Sequence, residues 1–219
     1  MAIRVVISDF GGVLTTPLIG SFMAFQDRTG ITGESLGHAM QRIYERDGTH
    51  PLYELEKGRL TEDEFLGGIR SELAVELGHE PEMHGFKEIY FEALEPNTPM
   101  IHEMRQAKRG GSRMALLTNN VREWEPLWRS MLPVDEIFEL VVDSAFVGMR
   151  KPEPEIYRLT LERLREHDPG ELGELEFSEC LFVDDVEVNC TAARELGVNV
   201  VHFRSNDQAI PEIREALTA

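Results

Sequence analysis

Four short stretches hold the side chains of this chain that could do chemistry together. The first is Asp9 in "ISDFGGV", a carboxylate followed by Gly11 and Gly12 at the end of an apolar run. The second is Thr118 and Asn119 in "LLTNN", a hydroxyl beside an amide. The third is Lys151 in "GMRKPEP", held rigid before a helix start by Pro152. The fourth is the adjacent pair Asp184-Asp185 in "LFVDD". A carboxylate nucleophile divides a phosphoryl transfer into two easier steps through an acyl phosphate. A hydroxyl and an amide at a strand end can hold phosphate oxygens, helped by N–H groups of the next helix start. One fixed ammonium can neutralise both the nucleophile and the incoming phosphate. Two adjacent acids are costly to hold together without a cation, and with Asp9 they offer hard oxygen ligands suited to Mg²⁺.

Each stretch alone has a plainer reading: a turn, a helix N-cap, a surface lysine. Their placement decides against it. Strand-like runs occur at 3–8, 114–118, 138–143, 180–184 and 199–203, near-continuous in apolar character as in a parallel sheet covered on both faces. Helical patterns separate the last four, which predicts an α/β fold with a doubly wound parallel sheet. All four stretches then fall at carboxyl ends of strands, the face on which such sheets bind ligands. Asn189 shares a helix face with Ala192, Ala193 and Leu196 just after the acid pair, and is placed to brace it.

The region from Leu14 to about Pro96 breaks the alternation. Thr61 and Glu64 form a capping box, with Leu60 and Phe65 placed as a hydrophobic staple. Apolar stripes recur at Phe65, Leu66, Ile69, Leu73 and Leu77; at Leu36, Ala39, Met40, Ile43 and Tyr44; and at Phe86, Ile89, Tyr90 and Leu94. An all-helical cap over 16–95 is expected, inserted into a core made of 1–15 and 96–219. Two chain crossings, near 15–18 and 94–98, suit a lid that can tilt.

Composition narrows the partners. The 219 residues carry 22 Lys plus Arg against 40 Asp plus Glu, a net charge of −18 that repels nucleic acid and anionic lipid. Phosphate is repelled too, so a phosphate site must be built locally, and a divalent cation is one way. No window has the ~18 apolar residues of a membrane span, and the start does not read as a signal peptide. A cytoplasmic location is expected. Cys180 and Cys190 read as small buried residues rather than a disulfide. "NCT" at 189–191 fits a glycosylation acceptor, but a helix-facing Asn189 in the cytoplasm does not suit that role.

The chain resembles the haloacid dehalogenase superfamily, subfamily I with a helical C1 cap. Asp9, Thr118, Lys151 and Asp184-Asp185 match its four motifs in order. "DFGGVL", "RKPEPEIY" and "FVDDVEVNCTAARELGV" are most similar to the branch of phosphatases like the N-terminal domain of soluble epoxide hydrolase. The resemblance implies a Rossmann-like core and Mg²⁺-dependent hydrolysis of a small phosphorylated metabolite. It implies Asp9 as nucleophile and metal ligand, with the Gly11 carbonyl and Asp185 completing the ligand set and Asp184 supporting the metal directly or through water. Thr118 and Asn119 would bind the phosphoryl group and Lys151 would stabilise its charge. The departure is Gly11, where the family usually has an Asp that carries the proton, a contribution of about 10²–10⁴-fold. Two alternatives follow from that gap: a weakly active metal- and phosphate-binding regulatory protein, or a metal-independent 2-haloacid dehalogenase. The acid pair argues against the dehalogenase, which needs no cation.

Overall fold

In the computed structural model, which describes residues 2–83 and 85–218, the apolar runs form one parallel sheet. Its strands are β1 (Val5–Ser8), β2 (Arg113–Thr118), β3 (Leu140–Asp143), β4 (Cys180–Asp184) and β5 (Asn199–His202), in the order β3-β2-β1-β4-β5. Between β1 and β2 come α1 (Ile19–Thr29), α2 (Gly33–Asp47), α3 (Pro51–Glu56), α4 (Glu62–Leu77), α5 (Phe86–Glu92) and α6 (Thr98–Arg109). The short α7 (Glu125–Ser130) and α8 (Val134–Ile137) lead to β3. After it come α9 (Ser144–Val147), α10 (Pro154–His167) and α11 (Pro169–Leu172). Helix α12 (Glu187–Glu195) joins β4 to β5, and α13 (Asn206–Thr218) follows β5. No helix among the described residues is long and apolar enough to cross a membrane.

Successive strand residues point to opposite faces, and both faces are covered. Val5 and Ile7 pack with Ala115, Leu117, Phe182 and Ile156 of α10. Val6 packs on the other side with Leu116, Val183, Met104 of α6 and Ile213 of α13. This double burial explains the unbroken apolar runs. The expected third strand is shorter than 138–143, because Phe138 closes the single turn of α8 and lies outside the ladder. Cys180 and Cys190 are buried free thiols.

The chain runs outward from β1 through β2 to β3, then returns to the other side of β1 to lay down β4. The winding therefore reverses between β1 and β4, and a crevice opens there at the carboxyl ends.

Helices α1–α5 occupy the long connection. Thr61 Oγ1 accepts from Glu64 N at 3.2 Å and Glu64 Oε2 accepts from Thr61 N at 2.8 Å, so the capping box forms as the sequence predicts. Leu36, Ala39, Ile43, Ile69, Leu73, Phe86 and Ile89 are buried. Tyr44 and Leu77, at the ends of their stripes, are exposed. Where the chain leaves and re-enters the sheet, Thr15 and Pro96 form an antiparallel bridge. Thr16 N donates to Glu95 O at 2.8 Å and Asn97 N to Leu14 O at 2.8 Å, so the two crossings are tied into one strap.

Candidate active site

Pairing between β1 and β4 continues one residue past Ser8, with Asp9 N donating to Val183 O at 2.8 Å. That bond sets Asp9 beside the acid pair at the end of β4. One carboxylate oxygen from each of Asp9, Asp184 and Asp185 lies within 4.8 Å of the others. Lys151 stands among them, fully buried, its Nζ 2.8 Å from Asp9 Oδ1 and 2.7 Å from Asp184 Oδ2. Three carboxylates face one ammonium, a balance a divalent cation would correct. Burial, and after it Asp184 and Asp185, push the Asp9 carboxyl up to about 8 against the pull of Lys151. Burial and Asp184 likewise raise Asp185. Burial alone would lower Lys151, but the two carboxylates outweigh it and raise it.

The three acids are not equivalent. Asp184 Oδ1 accepts from Val186 N at 2.8 Å and Asn189 Nδ2 at 3.1 Å, while Oδ2 accepts from Lys151 and, at 3.2 Å, from the same amide. Its lone pairs are spent on protein donors, with Asn189 bracing it from α12. Asp9 and Asp185 are less committed. Asp185 lies against Gly12, which adopts φ +75; a Cβ there would sit well under 3.0 Å from the carboxylate. Gly12 thus makes room for Asp185.

Thr118 is buried at the end of β2, and Asn119 follows it. The Asn119 side chain differs from its expected role as a phosphoryl contact. Its Oδ1 accepts from Lys151 N at 2.8 Å and its Nδ2 donates to Lys151 O at 3.0 Å, so the amide is spent in clamping the Lys151 peptide.

Thr118, Asn119 and Gly11 floor a cavity of about 470 Å³ roofed by α1–α5. Its walls are mainly apolar, with Leu36, Phe65, Leu66, Phe86, Tyr90 and Trp124 among them. Tyr90 and Trp124 meet across the junction with ring centroids 4.9 Å apart and planes tilted by 40°. Sequence reasoning missed four residues here. A Cβ at Gly11 would meet Leu18 methyls at 3.3 Å, so Leu18 fills the space that a longer side chain at position 11 would enter. Trp124 reads from sequence as a helix-face residue. Tyr90 was placed in a core stripe. Glu56 reaches the cavity from α3, with nothing in its local pattern to distinguish it among 40 acidic residues. A further buried acid, Asp143 at the end of β3, caps Ala145 N through Oδ1 at 3.0 Å, while its Oδ2 has no hydrogen-bond partner among the described residues.

A family model for haloacid dehalogenase-like hydrolases matches residues 3–197. The chain belongs to that family. As a HAD-like hydrolase it is similar to bifunctional epoxide hydrolase 2 of Mus musculus, 26% identical over 230 residues. That match covers 98% of this chain and 39% of the relative, so the chain spans well under half of its length. Glyceraldehyde 3-phosphate phosphatase of Pyrococcus abyssi is 30% identical over 97 residues, 43% of this chain and 36% of that one. Among solved structures, a HAD family enzyme of Bacteroides thetaiotaomicron in complex with magnesium and inorganic phosphate superposes with a TM-score of 0.65. It is 24% identical, over 93% of this chain and 95% of that one. The last likeness shows the HAD fold.

Proposed function

We propose that this HAD-like hydrolase is a Mg²⁺-dependent phosphomonoesterase whose nucleophile is Asp9. The observation that carries this reading is the convergence of Asp9, Asp184 and Asp185, with the buried Lys151 ammonium paired to the first two. Asp9, Asp185 and the Gly11 carbonyl would hold the cation, with Asp184 and Asn189 fixing Lys151 beside it. When bound, the cation supplies charge neutralisation for the transferring phosphoryl group. Thr118, the Asn119 N–H and Lys151 would orient that group for in-line attack by Asp9. The magnesium and phosphate found with the Bacteroides enzyme, and the phosphatase name of the Pyrococcus relative, support the reading.

The cavity supports a substrate class. Outside its floor its polar side chains are few, Glu56, Glu62 and Asn120 among them, against a long run of leucines and aromatics that can bury a hydrocarbon. We propose a phosphate ester with an extended apolar tail, held by a separate cap domain of residues 16–95 that tilts on the Thr15–Pro96 strap. The deciding experiment is a screen of alkyl, isoprenoid and sugar phosphates with Mg²⁺, run beside Asp9→Asn. Turnover unaffected by that substitution or by chelator would overturn the proposal.

A further inference from the structure

Glycine at position 11, with Leu18 beside it, gives that position no proton-carrying side chain. Two carboxylates reach the cavity from other walls, Glu56 and Glu62. Glu62 stands in the first turn of α4 and pairs with Lys87 at 3.4 Å. Glu56, the last residue of α3, is anchored differently. Its Oε2 accepts from Arg150 Nε at 2.5 Å, and Arg150 immediately precedes Lys151 in the chain. The Arg150 guanidinium lies 4.0 Å over the Tyr53 ring, so it is itself fixed to the cap.

We infer that Glu56 is the catalytic carboxyl group that takes the place of the acid absent at position 11. The inference rests on the phosphatase reading above. Glu56 shares one cavity with Gly11, Thr118 and Asn119. Tyr90 lines the same cavity, and burial first, then the carboxylates of Asp9, Glu56 and Asp185, disfavour its ionisation. Burial also raises Glu56, against the pull of Arg150 and more weakly of Lys151. Such a group can hold a proton in one half-reaction and accept one in the other. The other charged neighbours are the Lys57–Glu153 ion pair beside it, Glu62 across the cavity, and His50, lowered by burial and by Arg150.

The proton balance closes. In the first step Asp9 forms a bond to phosphorus, the ester P–O bond breaks, and the leaving oxygen takes the proton of the Glu56 carboxyl. In the second, water attacks phosphorus and the Glu56 carboxylate takes its proton. The P–O bond to Asp9 then breaks, releasing inorganic phosphate with Asp9 ionised and Glu56 protonated again.

The test uses the full chain with Mg²⁺, decyl phosphate and p-nitrophenyl phosphate. Glu56→Gln keeps an oxygen for Arg150 but cannot carry the proton, and should lower kcat on decyl phosphate about 10²–10³-fold. On p-nitrophenyl phosphate, whose leaving group needs no acid, it should release one equivalent of nitrophenolate in a burst. Radiolabel from phosphate should then persist on Asp9. The limb of the kcat–pH profile that reports Glu56 should vanish, and formate should partly restore Glu56→Ala. Glu153→Gln, which breaks the neighbouring ion pair with Lys57 but keeps an oxygen for the Arg150 N–H that Glu153 accepts, should stay within about twofold of the parent. Equal losses in Glu56→Gln and Glu153→Gln, with the pH profile intact, would make Glu56 a cap latch and overturn the assignment. So would a Glu56→Gln enzyme as fast as the parent. A parent chain that neither hydrolyses a phosphate ester nor labels at Asp9 would overturn the phosphatase reading first, and this inference with it.

Discussion

At the ends of β1 and β4 the charged groups are held by short, directed contacts: Asp184 alone receives Lys151, Val186 N and both contacts from Asn189. Under α1–α5, on the far side of Gly11, the cavity wall is leucine, phenylalanine and tryptophan with few polar groups. The first region is built from rigid sheet ends and specifies one charged group to within hydrogen-bond distances. The second specifies only volume and apolarity. On the proposed reading, the strand ends would bind the phosphoryl group and its cation, and the wall under α1–α5 would take the hydrocarbon. The overall charge of −18 sharpens that division, because it repels an anion wherever no local positive charge offsets it.

The charged region should break hardest. Asp9→Asn and Asp185→Asn should each abolish Mg²⁺-dependent turnover, by about 10⁴-fold or more for the nucleophile. Calorimetric titration should show lost Mg²⁺ affinity in the Asp185 variant. Lys151→Ala should lower kcat about 10²–10³-fold with a smaller effect on Mg²⁺ affinity. It should also destabilise the fold by roughly 3–5 kcal/mol, because Asp9 and Asp184 lose their buried counter-charge. A Lys151→Ala protein with a normal urea midpoint and normal kcat would reduce Lys151 to a spectator.

The two glycines separate the regions at finer scale. Gly12→Ala drives a methyl into Asp185 from a left-handed backbone, so it should cost more than 1 kcal/mol and lower turnover about 10²-fold. Gly11→Ala meets only the flexible end of Leu18 at 3.3 Å and should stay near parental activity. Gly11→Asp should restore little unless Leu18 is shortened as well. Equal damage at positions 11 and 12 would show that the turn, rather than the Asp185 contact, is the sensitive element.

The same contrast explains what could be read from sequence. The sheet and the motifs at Asp9, Thr118 and Asp184 were legible because each is local, an apolar run and then a polar residue, whereas Lys151 lies beyond α9 rather than at the end of β3 as the sequence suggests, and reaches the site from there. Asn189 was legible from helix spacing. The Asn119 clamp on Lys151 was not, since the bonded groups are 32 residues apart and an Asn after a strand serves phosphate or peptide equally well. Nor was the cavity. Phe65, Leu66 and Phe86 fit their helical stripes as core residues, and only the docking of the cap on Trp124 shows that some of that apolar surface faces an open space. Leu18 and Glu56 belong to the same class, with roles set wholly by tertiary placement.

A chain-length series probes the apolar region more gently. Each methylene that enters the cavity should be worth ~0.8 kcal/mol, so kcat/KM for linear alkyl phosphates should rise about three- to fourfold per carbon until the cavity is full. The rise should appear mainly in KM, because tail burial is the same in ground and transition states. Leu66→Asp should flatten the series and leave acetyl phosphate hydrolysis nearly unchanged. A flat series in the parent protein would mean that the tail lies outside this cavity.

The mildest test concerns a buried acid that the site does not use. Burial raises Asp143 from 3.8 to about 7, helped by Glu125 and opposed by the Ala145 N–H cap, Arg122 and Arg129. Its Oδ2 has no partner among the described residues. The unfolded chain ionises this group near pH 4 and the folded one holds its proton to about 7, so the folded state binds more protons between those values. Stability must therefore fall as pH rises through that window, by up to about 4 kcal/mol at ~1.4 kcal/mol per unit, and then level off. Asp143→Asn cannot titrate and keeps an oxygen for the Ala145 cap. It should flatten this part of the urea-midpoint profile and be the more stable protein above pH 7, with kcat within about twofold of the parent. Asp9, raised to about 8, adds a slope of the same sign, but Mg²⁺ should suppress that part by holding Asp9 ionised in the folded state. A profile measured with and without Mg²⁺ separates the two acids. If Asp143→Asn leaves the Mg²⁺-independent slope intact, Asp143 is ionised in the fold and a cation or water must sit against its free oxygen.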